Sequence, residues 1–325
     1  MKVFITGGGG FLGSRLARAI LAAGTLADGD GTPRAVSQIT LFDAAFPPNV
    51  DPRLRCVTGD ISSASAIAKA LDNDTSSVFH LAAVVSGGAE ADFDLGMKVN
   101  LEGCRVLLEA CRKLARPPRF VFASSVAAFG GDVPDVLDDS TTPNPQTSYG
   151  AQKVISEYLV TDYSRKGYID GRSLRLPTIV VRPGKPNLAA SSFASGIIRE
   201  PLNGQVSECP VDKDTGVWLV SPGKVVQNFL HSHELPSSAW GASRVVNLPG
   251  MTTSVSEMVA AMGAIAGPAV AARVQWKPEP RTQAIVKTWP VRFRTPRALA
   301  MGFQADADIE SVIRDYIRDE GITPA

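Results

Sequence analysis

Residues 1–13, MKVFITGGGGFLG, join a short run of β-branched and aromatic residues to a glycine-rich turn. Lys2–Thr6 is typical of a buried strand, and the spacing of apolar residues in Phe11–Ala23 predicts an amphipathic helix. Between them, Gly7 permits a tight turn, Gly10 lets the backbone approach a pyrophosphate, and Gly13 lets the helix pack on the sheet. The free N–H groups and the dipole of that helix then face the anion. This stretch therefore predicts a phosphate-binding turn.

The first half of the chain continues this alternation of strand and helix. Further strands are predicted at Gln38–Phe42, Ser77–Leu81, Arg119–Ala123 and Ser173–Val180, and helices near Ser63–Leu71, Phe93–Leu114 and Tyr149–Lys166. Such alternation is typical of a parallel sheet covered by crossover helices. We therefore expect an α/β fold with a Rossmann-type doubly wound parallel sheet. Residues 1–180 are predicted to bind a nucleotide, and residues 181–325 to form a smaller, irregular α/β substrate-binding lobe, with some chain crossing back.

The composition excludes several classes of protein. Lys and Arg number 33 against 32 Asp and Glu, so the net charge of +1 gives no general attraction to nucleic acid or an acidic membrane. No apolar run approaches the roughly 20 residues of a membrane-spanning helix, and no signal-peptide core fits the N-terminus. The four cysteines are spaced neither for a metal site nor for a disulfide scaffold; they are Cys56, Cys104, Cys111 and Cys209. We expect a cytoplasmic protein with no bound metal.

Two aspartates lie at the ends of predicted strands: Asp43 follows Gln38–Phe42, and Gly59-Asp60-Ile61 stands at the end of a further, third strand, which brings the predicted strands to six. Asp43 can accept hydrogen bonds from both adenosine ribose hydroxyls and would repel a 2′-phosphate, which favours NAD over NADP. It lies thirty residues past Gly13, beyond the usual spacing of about 20 from the motif, and the polar surface loop Thr25–Ser37 accounts for the excess. The alternative is that Asp43 only forms a turn. Asp60 and Ile61 suit a contact with the adenine edge, although Asp60 can equally cap the helix that follows.

A tyrosine and a lysine four residues apart predict the catalytic groups. Tyr149 and Lys153 would share one face of a helix start. A phenol with an ordinary pKa of about 10 is a poor base, but a neighbouring ammonium stabilises the phenolate and brings proton transfer into range. Ser124 and Ser125 end a strand at the sheet edge where parallel sheets bind ligands. Ser125 can hydrogen-bond the reacting oxygen, and the alternative for one of the two serines is turn capping.

With these motifs, the sequence resembles the extended short-chain dehydrogenases/reductases, of the NAD-dependent epimerase/dehydratase type, over most of its length. The resemblance rests on motifs spread along the chain: Thr6-Gly7-x-x-Gly10-x-x-Gly13, Asp43, Asp60-Ile61, His80-Leu81-Ala82-Ala83, Asn100, Ser124-Ser125-x-x-x-Phe129-Gly130, Tyr149-x-x-x-Lys153 and Arg182-Pro183-Gly184.

That resemblance implies a role for each matching residue. Tyr149 would be the acid/base, Lys153 would hold the nicotinamide ribose, Ser125 would donate to the substrate oxygen, and Asn100 would support the proton relay. Contacts to NAD are implied for Gly7, Gly10, Phe11, Leu12, Gly13, Asp43, Asp60, Ile61, Leu81, Ala82, Ala83, Tyr149 and Lys153. His80 is interpreted as a core residue of its strand.

Within the family, the C-terminal half departs from the sugar-nucleotide enzymes. Those typically carry Tyr-Gly-Pro after the sixth strand and a basic-aromatic stretch ending in Val-x-Asp. Here the corresponding positions read Arg182-Pro183-Gly184 and Val217-Trp218-Leu219-Val220-Ser221, without the basic residue or the aspartate. Residues 83–94, 176–187 and 191–202 instead look like the D-erythronate dehydrogenase group, whose members oxidise the C2 hydroxyl of a four-carbon sugar acid with NAD.

A small sugar-acid carboxylate needs a cation and several hydroxyl or amide donors. Four such residues follow the sixth predicted strand: Lys185, Asn187, Ser191 and Ser192. The predicted substrate site consists of these four together with Ser86, Thr178 and the candidate catalytic residues Ser125 and Tyr149. Each of the loop residues alone is equally consistent with a solvated surface. The hypothesis is oxidation of D-erythronate to 2-oxo-D-erythronate, with Tyr149 taking the hydroxyl proton.

Two other functions remain open at this point. One is a nucleotide-sugar epimerase or dehydratase with tightly bound NAD, although Val126-Ala127-Ala128 stands where dehydratases carry an Asp-Glu pair. The other is a non-catalytic NAD-sensing protein, which would have no need of the tyrosine–lysine pair. The resemblance also suggests a homodimer in which the helices predicted at Phe93–Leu114 and Tyr149–Lys166 form a four-helix bundle.

Overall fold

A computed structural model describes residues 1–184 and 191–323 of the chain. The chain forms two compact units. The first comprises Met1–Ala128, Thr147–Arg175 and Val226–Asn247, and the second comprises Phe129–Gln146, Leu176–Val225 and Leu248–Ala325.

The first unit is built on a seven-stranded sheet. The strands of this sheet are β1 (Lys2–Thr6), β4 (Gln38–Asp43), β5 (Arg55–Thr58), β6 (Thr75–His80), β7 (Arg119–Ser125), β8 (Asp170–Leu176) and β12 (Val245–Asn247). The first unit also contains a separate short pair, β2 (Thr25–Ala27) and β3 (Pro33–Ala35). The sheet has the order β12-β8-β7-β6-β1-β4-β5, with β2 and β3 outside it. Its registered strand pairs are parallel, which confirms the Rossmann-type fold.

Helices connect these strands. They are α1 (Phe11–Ala23), α2 (Ala64–Ala70), α3 (Ser86–Ala91), α4 (Phe93–Gly96), a π-helix (Met97–Glu102), α5 (Gly103–Cys111), a 3₁₀ turn (Val126–Ala128), α6 (Ser148–Arg165), α8 (Pro222–Glu234, which begins in the second unit) and α9 (Ser237–Trp240). A buried apolar cluster joins sheet and helices, with Phe4, Phe42, Val78 and Phe120 from strands and Leu107 from α5 among its members.

Strand register places the C-terminal ends of β1, β4, β6 and β7 side by side. In β1, Thr6 pairs with Phe42 of β4 and with His80 of β6. His80 in turn pairs with Phe122 of β7. Because these strands are parallel, the segments that follow them emerge at one edge of the sheet, where doubly wound folds bind ligands.

Three predicted elements differ from the structure. The loop Thr25–Ser37 contains the antiparallel pair β2–β3, because a turn at its Gly-rich centre folds it back on itself. The single helix predicted over Phe93–Leu114 consists of α4, the π-helix and α5, since one turn carries the wider hydrogen-bond spacing. The strand predicted at Ser173–Val180 begins earlier, at Asp170, and its last residues belong to a different sheet.

The second unit has smaller sheets and its own apolar core. Its elements are β9 (Thr178–Ile179), α7 (Ser192–Leu202), β10 (Ser207–Cys209), β11 (Gly216–Val220), β13 (Met251–Ser254), α10 (Val255–Ala266), α11 (Pro268–Ala271), β14 (Val274–Trp276), α12 (Pro280–Val286), α13 (Pro296–Ala300) and α14 (Ile309–Glu320). Ser254 and Glu257 form a capping box at the start of α10. Within the described ranges, every helix is too short or too polar to cross a membrane.

Candidate active site

The glycine-rich turn between β1 and α1 has the geometry of a phosphate cradle. Gly7 has a φ of +70°, and a Cβ there would lie 2.7 Å from the backbone nitrogen of Ala82. A Cβ at Gly13 would overlap the carbonyl oxygen of Gly7. Both positions therefore require glycine, and the missing side chains leave the backbone open to a ligand.

The N-terminus of α1 carries no protein cap. Gly10 occupies the cap position in an extended conformation with no side-chain hydrogen bond, and the first turn contains no acidic residue. The first-turn residues Phe11 and Leu12 are half-buried. A helix end with free N–H groups and its positive dipole end exposed is a site for an anion. The turn and the helix start thus fit a dinucleotide pyrophosphate.

Asp43 lies beside this turn, at the end of β4. Its Oδ2 accepts a hydrogen bond from the Gly9 backbone N–H at 2.9 Å, and its Oδ1 accepts one from the Ala44 N–H at 2.7 Å. A carboxylate oxygen can accept more than one hydrogen bond, so these contacts orient the group without consuming it. Asp43 is therefore placed to receive ribose hydroxyls next to the pyrophosphate cradle.

Asp60 and Ile61 follow β5. Asp60 accepts hydrogen bonds from the backbone N–H and the hydroxyl of Ser62, and its Oδ2 lies 2.8 Å from the Lys98 Nζ. Lys98 and these hydrogen bonds lower the pKa of Asp60 to about 2. Ile61 is buried against Gly103 of α5. The cap of α2 is Ser63 rather than Asp60, so Asp60 organises the turn before that helix.

The segment after β6 runs next to the glycine turn. The Leu81 N–H donates to the Thr6 carbonyl at 3.2 Å, and the Ala82 N–H donates to the Thr6 hydroxyl at 3.3 Å. Leu81, Ala82 and Ala83 are all half-buried. Ser86 follows as the first residue of α3. Leu81 and Ala82 thus lie against the residue that precedes the glycine turn.

Tyr149 and Lys153 lie one turn apart at the start of α6. Lys153 is buried, its Nζ donates to the Ala123 carbonyl at 2.8 Å, and the same ammonium lies 5.5 Å from the centre of the half-buried Tyr149 ring. Thr147 caps the helix by accepting from the Gly150 N–H at 3.1 Å. The helix start thus holds a cation against a phenol, as the motif predicts.

Burial controls the charge state around Lys153. Desolvation lowers the pKa of its ammonium to about 8, while Cys104 and Glu157 act to raise it. Burial, followed by the charge of Lys153, lowers the pKa of His80 to about 3, and its Nδ1 lies 2.6 Å from the Thr6 hydroxyl. His80 is therefore a neutral core residue that stacks on Phe122, which agrees with its interpretation as part of the strand core.

Ser125 ends β7 with a hydroxyl still able to donate. Its Oγ accepts a hydrogen bond from the Ala127 N–H at 3.1 Å, which caps the 3₁₀ turn. A hydroxyl that accepts in this way keeps its own proton for another partner. Ser125 therefore caps the turn with its oxygen, and its hydroxyl proton is still suited to a substrate oxygen.

Asn100 acts as a clamp from inside the π-helix. Its side chain accepts from the Val84 N–H at 2.8 Å, donates to the Val84 carbonyl at 3.1 Å, and donates to the Gln152 Oε1 at 2.7 Å. Both Asn100 and Gln152 are buried. The clamp joins the segment after β6 to the catalytic helix α6. A π-turn at such a position is typical of functional sites.

Three positioning residues were missed by the sequence analysis. Gln152 lies directly before Lys153 and holds Asn100. A Cβ at Gly96 would lie 2.7 Å from the Gln152 Nε2, so the glycine makes room for that amide. The Glu90 Oε2 accepts from the Ser148 N–H at 3.0 Å, at the N-terminus of α6, where a negative charge stabilises a helix. The position of Gln152 directly before Lys153 was the one signal in the sequence that could have identified it. The roles of Gly96 and Glu90 depend on tertiary contacts and left no such signal.

The remaining predicted substrate residues belong to the second unit. Thr178 begins β9, where it pairs with Leu219. The Ser191 Oγ accepts from the Arg182 Nη2 at 3.0 Å, and Ser192 begins α7. Lys185 and Asn187 lie outside the described residues.

The groups gathered in the first unit are suited to proton transfer. A phenol next to a buried ammonium can exchange a proton, and a serine hydroxyl at the same sheet edge can orient an oxygen. In the described part of the chain, no group of three His, Cys, Asp or Glu side chains could hold a metal ion.

Comparison with known proteins agrees with this geometry. A sequence profile of the NAD dependent epimerase/dehydratase family matches residues 3–240. The D-erythronate dehydrogenase of Cupriavidus necator is 55% identical over 323 residues, which cover 99% of each chain. The D-erythronate dehydrogenase of Haemophilus influenzae is 43% identical over 319 residues, 98% of this chain and 99% of that one.

A solved structure has a similar fold. The crystal structure of a nucleoside-diphosphate-sugar epimerase from Agrobacterium tumefaciens superposes with a TM-score of 0.92 at 36% sequence identity, covering 99% of this chain and 95% of that one.

Proposed function

Since the chain belongs to the NAD dependent epimerase/dehydratase family, we propose that it oxidises the C2 hydroxyl of a small sugar acid with NAD. The proposed substrate is D-erythronate and the proposed product 2-oxo-D-erythronate. The observation that carries the proposal is the Lys153 ammonium 5.5 Å from the centre of the Tyr149 ring, in a chain 55% identical to a D-erythronate dehydrogenase.

In this mechanism the chain's own residues handle the proton. Ser125 donates a hydrogen bond to the C2 oxygen, and the Tyr149 phenolate takes the hydroxyl proton. Lys153, fixed by the Ala123 carbonyl, stabilises the phenolate through its positive charge. NAD, when bound, supplies the acceptor for the C2 hydride and thus the redox chemistry.

The choice of NAD over NADP depends on Asp43. Its carboxylate borders the glycine turn through Gly9, where it would accept hydrogen bonds from ribose hydroxyls and repel a 2′-phosphate. Asp60, Ile61 and residues 81–83 complete the proposed cofactor contacts. In this proposal residues 1–180 form the NAD-binding domain and residues 181–325 the substrate-binding lobe, except for chain that crosses back to the first domain, as Val226–Asn247 does.

Substrate recognition is assigned to the polar residues that the sequence analysis identified. Those proposed to contact the sugar acid are Ser86, Ser125, Tyr149, Thr178, Lys185, Asn187, Ser191 and Ser192. A cation among hydroxyl and amide donors matches a carboxylate flanked by hydroxyl groups. Arg182 supports this region by donating to Ser191.

A second candidate is epimerisation of a nucleotide sugar. It is favoured by the 36% identity to the nucleoside-diphosphate-sugar epimerase of Agrobacterium tumefaciens. Against it stand the higher identities to two D-erythronate dehydrogenases and the absence of the Val-x-Asp clamp after Val217.

We further propose a cytoplasmic homodimer formed through the helical segment Phe93–Leu114, which includes α4 and α5, and through α6, as a four-helix bundle. Phe93 of α4 is 58% exposed and Tyr158 of α6 is 67% exposed, and Ile155 of α6 is exposed as well. Exposed aromatic side chains grouped on neighbouring helices are typical of a protein interface. Tyr158→Glu should therefore halve the mass measured by sedimentation, and an unchanged mass would contradict this interface.

The experiment for the proposed activity follows NADH absorbance with purified protein over four- to six-carbon aldonates, with L-threonine as the comparison substrate. We expect the fastest reduction of NAD with D-erythronate. Thermal shift with UDP- and TDP-sugars tests the second candidate in parallel. No NADH formation with any aldonate, together with stabilisation by a nucleotide sugar, would replace dehydrogenation by epimerisation.

A further inference from the structure

A buried carboxylate lies one helical turn beyond Lys153. Glu157 of α6 is only 2% exposed, and it accepts three hydrogen bonds from two side chains. The Ser124 hydroxyl donates to its Oε1 at 2.5 Å. The Arg175 guanidinium donates from Nε to Oε1 at 2.9 Å and from Nη2 to Oε2 at 2.7 Å. Neither the family motifs nor the proposed mechanism assigns this group a role.

Ser124 connects the carboxylate to the catalytic edge of the sheet. Three consecutive residues at the end of β7 each bind a different group: the Ala123 carbonyl accepts from Lys153, the Ser124 hydroxyl donates to Glu157, and the Ser125 hydroxyl accepts from the Ala127 N–H. Lys153 and Glu157 are successive inward positions of α6, four residues apart. Two hydrogen bonds thus join β7 to α6, one between Ala123 and Lys153 and one between Ser124 and Glu157.

Arg175 extends the connection to the neighbouring strands. It lies near the end of β8, and its Nη1 contacts the Asn247 Oδ1 of β12 at 3.4 Å. A bidentate pair between guanidinium and carboxylate fixes both groups in direction as well as distance. Burying two charges costs desolvation that apolar residues of the same size would avoid, so a buried pair is a better device for fixing register than for adding stability.

We infer that Glu157 is a positioning residue, which sets the register of α6 against β7 through Ser124 and Arg175 and thereby places Tyr149 and Lys153 opposite Ser125. The inference rests on the proposed function for the roles of those three residues. It adds a carboxylate that keeps the catalytic helix in place without touching substrate or cofactor.

The charge of Glu157 also acts on Lys153, which gives a readout specific to this role. The other ionisable groups facing the ammonium are Tyr149 on α6, Cys104 from α5 and His80 from β6. Burial raises the pKa of Cys104 to about 11 and lowers that of His80 to about 3, so both are neutral near pH 7. Removing the Glu157 carboxylate should therefore lower the pKa of Lys153.

The test compares Glu157→Gln with a control variant in another carboxylate–arginine pair, Asp170–Arg172, which lies on the same strand as Arg175. Glu157→Gln keeps the shape and removes the charge. Asp170→Asn removes the carboxylate that accepts from the buried Arg172 at 2.6 Å, five residues before Arg175 on β8. The Lys153 pKa is followed through its ¹³Cε chemical shift in the substrate-free holoenzyme, assigned with Lys153→Arg. Where Glu157→Gln alone does not fold, the double variant E157Q/R175Q takes its place and is judged by kcat, because it removes both charges of the pair; wild-type kcat in the double variant would then overturn the inference.

We expect Glu157→Gln to lower the Lys153 pKa and to reduce kcat at least tenfold, because small misplacements of catalytic groups carry losses of that order, up to about 100-fold. The dissociation constant of NAD should stay within about threefold of the wild-type value. Asp170→Asn should lower Tm but leave kcat and the Lys153 pKa unchanged.

An unchanged Lys153 pKa in Glu157→Gln would overturn the inference, as would an equal shift in Asp170→Asn. If the wild-type protein does not oxidise D-erythronate, the proposed function fails, while the Lys153 titration still decides the role of Glu157.

Discussion

Lys153 holds its ammonium 5.5 Å from the centre of the Tyr149 ring while donating a hydrogen bond to the carbonyl of Ala123. The bond to β7 prevents the lysine from turning towards water, and burial lowers its pKa to about 8. A fixed, partly desolvated cation next to a phenol is the arrangement that favours a phenolate. The proposed chemistry depends on this relationship.

Tyr149→Phe removes the proposed base and leaves the ring in place. We expect kcat to fall by at least about 100-fold, the usual contribution of a positioned acid or base. Affinity for NAD should stay within about threefold of wild type, because the glycine turn and Asp43 are unaltered. Initial rates of NADH formation and a fluorescence titration with NADH measure the two effects. Wild-type turnover in this variant would exclude Tyr149 as the acid/base.

Asp43→Ala tests the choice of cofactor. The loss of a carboxylate that receives ribose hydroxyls should weaken NAD about tenfold or more, while NADP changes little or gains because the repulsion is removed. Asp51→Ala is the control, since the Asp51 carboxylate pairs with Arg53 two residues along the chain. Dissociation constants for both cofactors decide the point. An unchanged preference would remove Asp43 from the site.

Gly13→Ala tests the phosphate cradle. Its Cβ would overlap the Gly7 carbonyl oxygen, so the turn must move and the backbone can no longer approach the pyrophosphate. We expect NAD affinity to fall more than about tenfold and stability to fall by about 1–3 kcal/mol from overpacking. Gly29→Ala is the control, because a Cβ there meets nothing within 4 Å. Equal NAD binding by both variants would contradict the cradle.

His80 predicts how stability depends on pH. Its pKa falls from an ordinary 6.5 to about 3 because of burial, then the charge of Lys153. His80 therefore becomes protonated below about pH 6.5 in the unfolded chain, but only below about pH 3 in the folded protein. From this group, unfolding should become easier by about 2 kcal/mol between about pH 6 and pH 4.5.

Urea unfolding of the wild type and of His80→Gln over this range measures that contribution. The variant should show a shallower loss of stability, with the part due to His233, whose pKa burial also lowers, still present. Identical pH slopes in the two proteins would contradict the assignment.

Local patterns in the sequence predicted the elements that carry the chemistry. The first strand and helix were predicted with their observed bounds, because glycine spacing and apolar periodicity are local properties of residues 1–23. Tyr149 and Lys153 were placed correctly on one helix for the same reason.

Long-range contacts could not be read from these patterns. Asn100 of the π-helix donates a hydrogen bond to Gln152, which is 52 residues away in the sequence. The pairing of Glu157 with Arg175 joins a helix to a strand across the sheet edge. Such pairs are set by how the elements pack, and neither spacing nor propensity encodes them.

The central claim is that hydride leaves C2 of D-erythronate while Tyr149 takes the hydroxyl proton. D-Erythronate carrying deuterium at C2 tests it most directly, with the mass of the reduced cofactor as the readout. We predict reduced NAD one mass unit heavier than with unlabelled substrate, together with a slower turnover. Reduced cofactor without deuterium, or release of the deuterium to water with no reduction of NAD, would contradict the claim.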